Sequence, residues 1–534
     1  MELIFLLGLL LPLLSYAEIH FRLPMIPSRL FQSEPEIVFD IPYRAETGKK
    51  VPLFLIIKDA HQFPITLLQL KVDIAETSTK EKCSQSENLD ILVNENLFSH
   101  ILYLDSKHFS KSGDYQIIAT LDYLSPTGRK KSISQDNYRF IPHPPFELAV
   151  SDQEMPTGEN WHWGDLHNHS NYTDDQVEFG APIEFLAAAA ESIGLNFLAV
   201  TDHSYDLDDH SENYLVNDPN LGKWNLFQDE IQLVQKGHQK LIIVPGEEIS
   251  AGNYKNQNIH CLFLNDPEFF PGSGDSAEQF WQNQPTIPLS QILSKKSKDT
   301  LAIAAHPLEI PPLSQRLILR RGKWFEQDLV HPELDALQIL NGENQELLKK
   351  GLSLWSNLLL KGQHIGIVAG SDSHGNFNCF RQISIPFIKM VYSREHLFGK
   401  VKTGVYLEKF TLKHLIRGIR NHRTIISNGP FATMKIQGKN SANIGDTIKK
   451  NEANQLIVIT KSSGEFGPWY EISLFWGNYE SQKEIKKSVP VDKPAYNFHF
   501  NTELLDNCDY VRLETFSRVG EKIFFCITSP IWIE

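Results

Sequence analysis

The sequence predicts an α/β fold in the middle of the chain with a β-sandwich-like segment on each side. Three observations predict it. Between about residues 160 and 423, short apolar runs alternate with helix-like stretches, the pattern of strands connected through helices. Before and after that region the chain offers short alternating or β-branched runs separated by turn-forming residues. At roughly 150 residues per domain, 534 residues suffice for about three domains, expected over 18–150, 151–424 and 425–534. Charged residues make up 22% and hydrophobic ones 41%, which excludes a largely disordered, collagenous or multi-span membrane chain. The net charge of −14 gives no diffuse basic field for a nucleic-acid polymer, so anion binding has to be local.

Taken in order, the chain opens on an apolar stretch from Leu3 to Leu14, too short to span a bilayer and followed by Ser15-Tyr16-Ala17. It reads as a leader over 1–17, cleaved after Ala17, and it implies a secreted or periplasmic protein. Its early charge is Glu2, where a basic residue is usual. No second span is expected. Strands are predicted over 51–57, 66–72 and 115–123, and Gly113-Asp114-Tyr115 resembles the tyrosine corner of immunoglobulin-like sandwiches. His143-Pro144-Pro145 marks a stiff linker. A helix over 182–193, with Pro at its start and Gly194 at its end, feeds an apolar strand at 195–200. Further buried strands are predicted at 241–244, 259–264, 301–305, 336–340 and 365–369, and one before Leu166, so the central sheet is expected to be parallel. Short strands return at 456–460, 471–476, 510–515 and 522–528. The five cysteines are too few for a disulfide scaffold, and a hairpin turning near Ser517 sets Cys526 opposite Val511, out of bonding reach of Cys508.

Histidines and carboxylates recur just past the ends of the central strands. His167 and His169 are two apart, so in an extended segment both imidazoles point to one side. The next strands offer Asp202-His203, Glu247-Glu248, His260, His306 and Asp372-Ser373-His374. The C-terminal ends of such strands share one mouth, where these groups would converge. Imidazole combined with carboxylate suits zinc, manganese or iron better than calcium.

These motifs resemble the polymerase and histidinol phosphatase (PHP) superfamily over residues 160–374. The resemblance implies a distorted (β/α)7 barrel and two to three divalent transition-metal ions. It implies His167, His169, Glu248 and Asp372 as ligands of a first ion, His260 and His306 sharing Glu248 on a second, and Asp174, His203 and His374 on a third. Asp175 lies beside Asp174 and competes for that place, and Glu248 is preferred to Glu247 by the family pattern. The segments ELDALQILNGEN (333–344), HRTIISNGPF (422–431) and TSPIWIE (528–534) are similar to secreted members with β domains on both sides, the carbaryl-hydrolase-like branch.

The implied activity is metal-dependent hydrolysis, foremost of a small phosphoester through a metal-bridging hydroxide. A carbamate, carboxyl-ester or amide hydrolase on the same ions is the alternative, and a catalytically inactive surface-binding scaffold a third. Among non-ligands, Asp202 is expected to orient an imidazole, and Arg320 or Arg381 to grip an anionic substrate. Arg316, Arg321 and Lys323 share the basic segment with Arg320. The acidic stretch 206–212 reads as a solvated insertion.

Overall fold

Alternation of apolar and polar side chains builds the first of two units. The structure, a computed structural model, describes residues 34–138, 141–173, 180–210, 213–272, 274, 283–385, 389–491 and 493–534. The expected leader, Asp174 and Asp175 lie outside the described residues. The first unit takes the chain up to Glu154 together with Asp174–Gly194 and Ser373–Leu397. One of its sheets pairs Val51–Lys58 with Glu36–Asp40 and with Leu97–Leu104. A second runs through Arg44–Glu46, Phe146–Ser151, Gly113–Leu124, Ile65–Glu76 and Lys82–Val93. Both sheets feed one core that includes Phe39, Leu55, Leu70, Ile117 and Leu148, the arrangement of a sandwich. The Tyr115 hydroxyl donates to the Lys111 carbonyl at 2.9 Å, the bond expected of a tyrosine corner. Helix Ile183–Ile193 ends at Gly194, whose φ of +96° is readily adopted by glycine. The buried Arg44 donates from Nη1 to the Ile193 carbonyl at 3.0 Å, satisfying a helix-end acceptor.

The second unit takes Met155–Thr173, Leu195–Asp372 and Phe398–Glu534. Seven strands lie side by side in chain order: β1 (Trp161–Asp165), β2 (Phe197–Val200), β3 (Ile242–Gly252), β4 (Asn258–Leu264), β5 (Leu301–Ala304), β6 (Ala336–Asn341) and β7 (Gly366–Gly370). Their apolar side chains are buried, as in a sheet covered on both faces. The all-parallel expectation needs correction. The pairs β1/β2, β2/β3, β5/β6 and β6/β7 are parallel, whereas β3/β4 and β4/β5 are antiparallel. Only residues 253–257 separate β3 from β4, too few for the crossover of about a dozen residues that a parallel pair needs.

The sheet curls into a half-barrel. On the far side of β1 it continues antiparallel into β8 (Lys402–Tyr406) and β9 (Thr424–Ser427). The Thr403 hydroxyl of β8 accepts from the Ala369 N–H of β7 at 2.9 Å and donates to the Ala369 carbonyl at 2.8 Å, so a side chain bridges the sheet's edge back to its middle. Beyond β9 the same sheet runs on through Lys522–Thr528, Tyr510–Val519, Trp469–Asn478 and Lys483–Val489. Facing strands at Phe431–Gly438, Ala453–Lys461 and Asn497–Glu503 form a separate sheet.

Two local expectations are corrected. The last hairpin turns at Gly520-Glu521, so Cys526 lies opposite Thr515 rather than Val511; all five cysteines are free. Within 206–212, Asp208 and Asp209 are buried rather than solvated. Asp208 accepts from Asn217 at 2.6 Å and Asp209 lies 3.8 Å from Lys223, so following polar side chains shield both. Among the described residues no helix is long and apolar enough to cross a membrane.

Candidate metal centre

Strand alternation decides which glutamate enters the centre. On β3, Glu248 faces the histidines, while Glu247 faces away and accepts from the Ser204 hydroxyl at 3.1 Å and the Phe270 N–H at 3.2 Å. Burial pushes the Glu247 carboxyl well above its usual range, against the pull of these two donors.

Five imidazoles surround the Glu248 carboxylate. Oε2 lies 3.4 Å from Nε2 of His167, 3.4 Å from Nε2 of His169 and 3.1 Å from Nδ1 of His203. Oε1 lies 2.8 Å from Nδ1 of His260 and 3.0 Å from Nε2 of His306. The Asp372 carboxylate closes the other side, 3.3 Å from His167 and 3.1 Å from His169. The expected one-sided placement of His167 and His169 is observed, with their Nε2 atoms 3.3 Å apart. Within this unit, two groups have ligand atoms close enough together for one ion each: His167, His169, Glu248 and Asp372, and His203, Glu248 and His260. The second group draws His203 in beside Glu248. His374 forms a short strand with Ser373 and belongs to the other unit.

The backbone supports this convergence at some cost. His306 and Asp372, neither of them glycine, have φ of +29° and +53°. Such conformations are strained for these residue types and persist where the surroundings enforce them. Asp165, fully buried, does part of that enforcement by accepting from Ser371 N–H at 3.0 Å, Gly399 N–H at 2.9 Å and His167 N–H at 3.3 Å. Burial raises its pKa and these donors resist the rise.

A set of outer contacts fixes the ligands. Gln338 of β6 accepts from Nδ1 of His167 at 2.9 Å, which leaves Nε2 facing the carboxylates. Gln338 also accepts from the His306 N–H at 3.3 Å. Asn341 donates to the outer oxygen of Asp372 at 3.0 Å. Asp202 accepts from Ser170 N–H, Ser170 Oγ and Thr173 N–H at 2.9, 2.7 and 2.7 Å. It therefore anchors the loop after His169 and makes no direct imidazole contact among these bonds.

The expected substrate-gripping arginines divide differently. Arg320 takes φ of +50° and contributes its carbonyl to Asn258 N–H at 3.0 Å. Its neighbour Arg321 reaches the centre, with Nη2 2.7 Å from Nε2 of His260. The His260 ring then donates from Nδ1 to Glu248 and accepts at Nε2. Arg381 belongs to the first unit, where Nε lies 3.0 Å from the buried Asp136.

The carboxylates and imidazoles set one another's protonation. Burial alone would raise Glu248 and Asp372, yet His260 and His167 hold Glu248, and His167 and His169 hold Asp372, well below the usual carboxylate range. Burial opposes charge on His169, but Asp372 and Glu248 overcome it and push its pKa up to about 10. His203 goes the other way, pushed down to about 4 by burial and then by His169. Carboxylates and imidazoles thus share one buried site, and once the imidazoles give up their protons this donor set could hold a metal ion.

No family model matches the chain. It is 25% identical over 187 residues to the chromosomal replication initiator protein DnaA of Lactobacillus johnsonii, covering 32% of this chain and 38% of that protein. Among solved structures, a cycloisomaltooligosaccharide glucanotransferase from Paenibacillus sp. aligns over 93% of this chain and 70% of its own at 8% identity, with a TM-score of 0.19.

Proposed function

We propose that the chain is a metal-dependent hydrolase of the PHP type, its curled half-barrel being the distorted (β/α)7 barrel of that superfamily, and that a small phosphoester is its substrate. The observation that carries the reading is Glu248, a single buried carboxylate with five imidazoles on its two oxygens, shared by both ligand groups. His167, His169, Glu248 and Asp372 would hold one ion, and Glu248, His260 and His306 a second. Asp174, His203 and His374 are assigned to a third by the resemblance. When bound, divalent ions supply Lewis acidity, a lowered pKa for water and excess positive charge that favours an anionic substrate. Gln338 holds the His167 tautomer, Asn341 and Asp165 hold Asp372, and Asp202 holds the His169 loop. Arg321, beside His260, would take a phosphoryl oxygen in charge-assisted hydrogen bonds.

The test is a parallel hydrolysis screen of zinc- or manganese-replete protein on phosphate monoesters, phosphate diesters, aryl esters and N-methylcarbamates, with His203→Ala as control. Phosphoester turnover that the variant loses supports the reading. Turnover of carbamates or aryl esters alone replaces the substrate class, and turnover unaffected by the variant refutes the site.

A further inference from the structure

We propose that the segment Ile310–Lys323 and the adjoining β3–β4 hairpin form a membrane-docking surface that seats the rim of the metal centre on an anionic lipid bilayer. The segment begins and ends at the centre. Just before it, His306 touches Glu248, and near its end Arg321 touches His260. Between them three large apolar side chains face solvent: Ile310 is 74%, Leu313 64% and Leu317 57% exposed. Leu313 and Leu317 are one helical turn apart on the short helix Leu313–Ile318, so they project from one side. Pro311 and Pro312 precede that helix and restrict its entry.

Charge complements the apolar set. Arg316, Arg320, Arg321 and Lys323 fall within the segment and no acidic residue interrupts it, although the chain as a whole carries −14. The hairpin extends the same surface. Asn253 donates to the Lys323 carbonyl at 2.8 Å, Asn258 N–H donates to the Arg320 carbonyl at 3.0 Å, and Tyr254 is 68% exposed. Lys255 and Lys323 both lie over the Phe325 ring, at 4.6 and 5.3 Å. The bordering carboxylates are engaged elsewhere: Glu309 accepts from Asn341 at 2.7 Å and Glu326 from Lys361 at 2.6 Å.

Single exposed leucines are ordinary, but several beside a cationic cluster are the composition of an interfacial element. Apolar side chains enter the headgroup boundary while lysine and arginine stay with the lipid phosphates. The surface stands without the hydrolase reading. If that reading also holds, docking presents lipid-headgroup phosphoesters to the centre.

Vesicle flotation of the full chain tests it without any turnover measurement. The vesicles are phosphatidylcholine alone and phosphatidylcholine with about one-third phosphatidylglycerol. The wild type should float with the anionic vesicles, stay behind with the neutral ones, and release as salt rises from about 0.05 to 0.5 M. Leu313→Glu with Leu317→Glu should weaken flotation roughly tenfold or more, and Arg316→Glu with Lys323→Glu should abolish the preference for anionic lipid. Leu226→Glu with Leu233→Glu alters leucines that are 62% and 66% exposed on the helix Gly222–Gly237, and it should leave flotation unchanged. These side chains are exposed, so folding should survive, with the thermal transition as the check. Wild type that stays unbound, or that binds neutral and anionic vesicles equally, overturns the proposal. So does flotation that survives both patch variants or falls equally with the control pair.

Discussion

Replacing Asp40 by Asn should change the pH dependence of the first unit more than its fold. Asp40 ends the strand Glu36–Asp40, is 6% exposed, and accepts from Ile41 N–H at 2.8 Å and Phe377 N–H at 3.0 Å. Burial raises its pKa from 3.8 to about 7, against the pull of Arg381 and the backbone donors. A carboxyl whose folded pKa is raised binds more protons folded than unfolded. Its contribution is therefore present below the unfolded value of 3.8 and lost as pH rises toward about 7. A shift of about three units corresponds to roughly 4 kcal/mol, an upper figure because solvent relaxation around the ionised group lowers it. Asn keeps an acceptor but holds one N–H less well, a cost of about 1 kcal/mol that does not depend on pH. The variant should be slightly less stable than wild type at pH about 4, and more stable by roughly 2–3 kcal/mol at pH about 8. Native-state hydrogen exchange of Val51–Lys58, the strand paired with Glu36–Asp40, reads this locally, with both proteins compared at each pH. The same variant-minus-wild-type difference at both pH values would refute the reasoning.

Other outcomes follow from single contacts. Gln338→Leu removes the acceptor for His167 Nδ1 and should weaken metal affinity about 10–100-fold, measured by chelator competition, while leaving the far-ultraviolet spectrum unchanged. Arg321→Gln should lower phosphoester turnover more than aryl-ester turnover, whereas Arg320→Ala should lower neither; equal losses for Arg321→Gln would remove its substrate role. Burial pushes His422 down to about 4 while its Nδ1 accepts from Gly366 N–H at 3.0 Å. Its contribution is present above the unfolded 6.5 and lost as pH falls toward 4, so exchange protection at Gly366 should decline over that window and the decline should flatten in His422→Gln.

Six of the seven central strands were legible as apolar runs bounded by turn residues, the first only as a strand before Leu166, and all but one end near the expected positions. The exception is β3, which runs past the apolar residues 242–244 through Pro245, Glu247 and Glu248 to Gly252. Polar residues inside it serve the site, and periodicity scores them as loop. Strand direction was not legible, since apolar runs do not distinguish parallel from antiparallel neighbours; the short connection at 253–257 did carry that information. For the site, residue type and position past a strand brought His167, His169, His203, Glu248, His260, His306 and Asp372 to one place. Gln338 and Asn341 were missed as site residues, although two amides in the otherwise apolar strand ALQILN were a signal, because a buried amide needs partners. That Arg321 rather than Arg320 reaches His260 goes with a left-handed φ at Arg320, and no pattern in the sequence announces that φ.

The most direct test of the central claim is metal analysis by mass spectrometry after equilibration with zinc or manganese and gel filtration. Wild type, Asp372→Ala, His260→Ala and Glu248→Ala would be compared, with circular dichroism as the folding check. Two or more ions per chain are expected in wild type, with one lost in Asp372→Ala, one in His260→Ala and at least two in Glu248→Ala, because Glu248 alone belongs to both groups. A wild type that retains no metal, or a folded Glu248→Ala that retains all of it, would contradict the account.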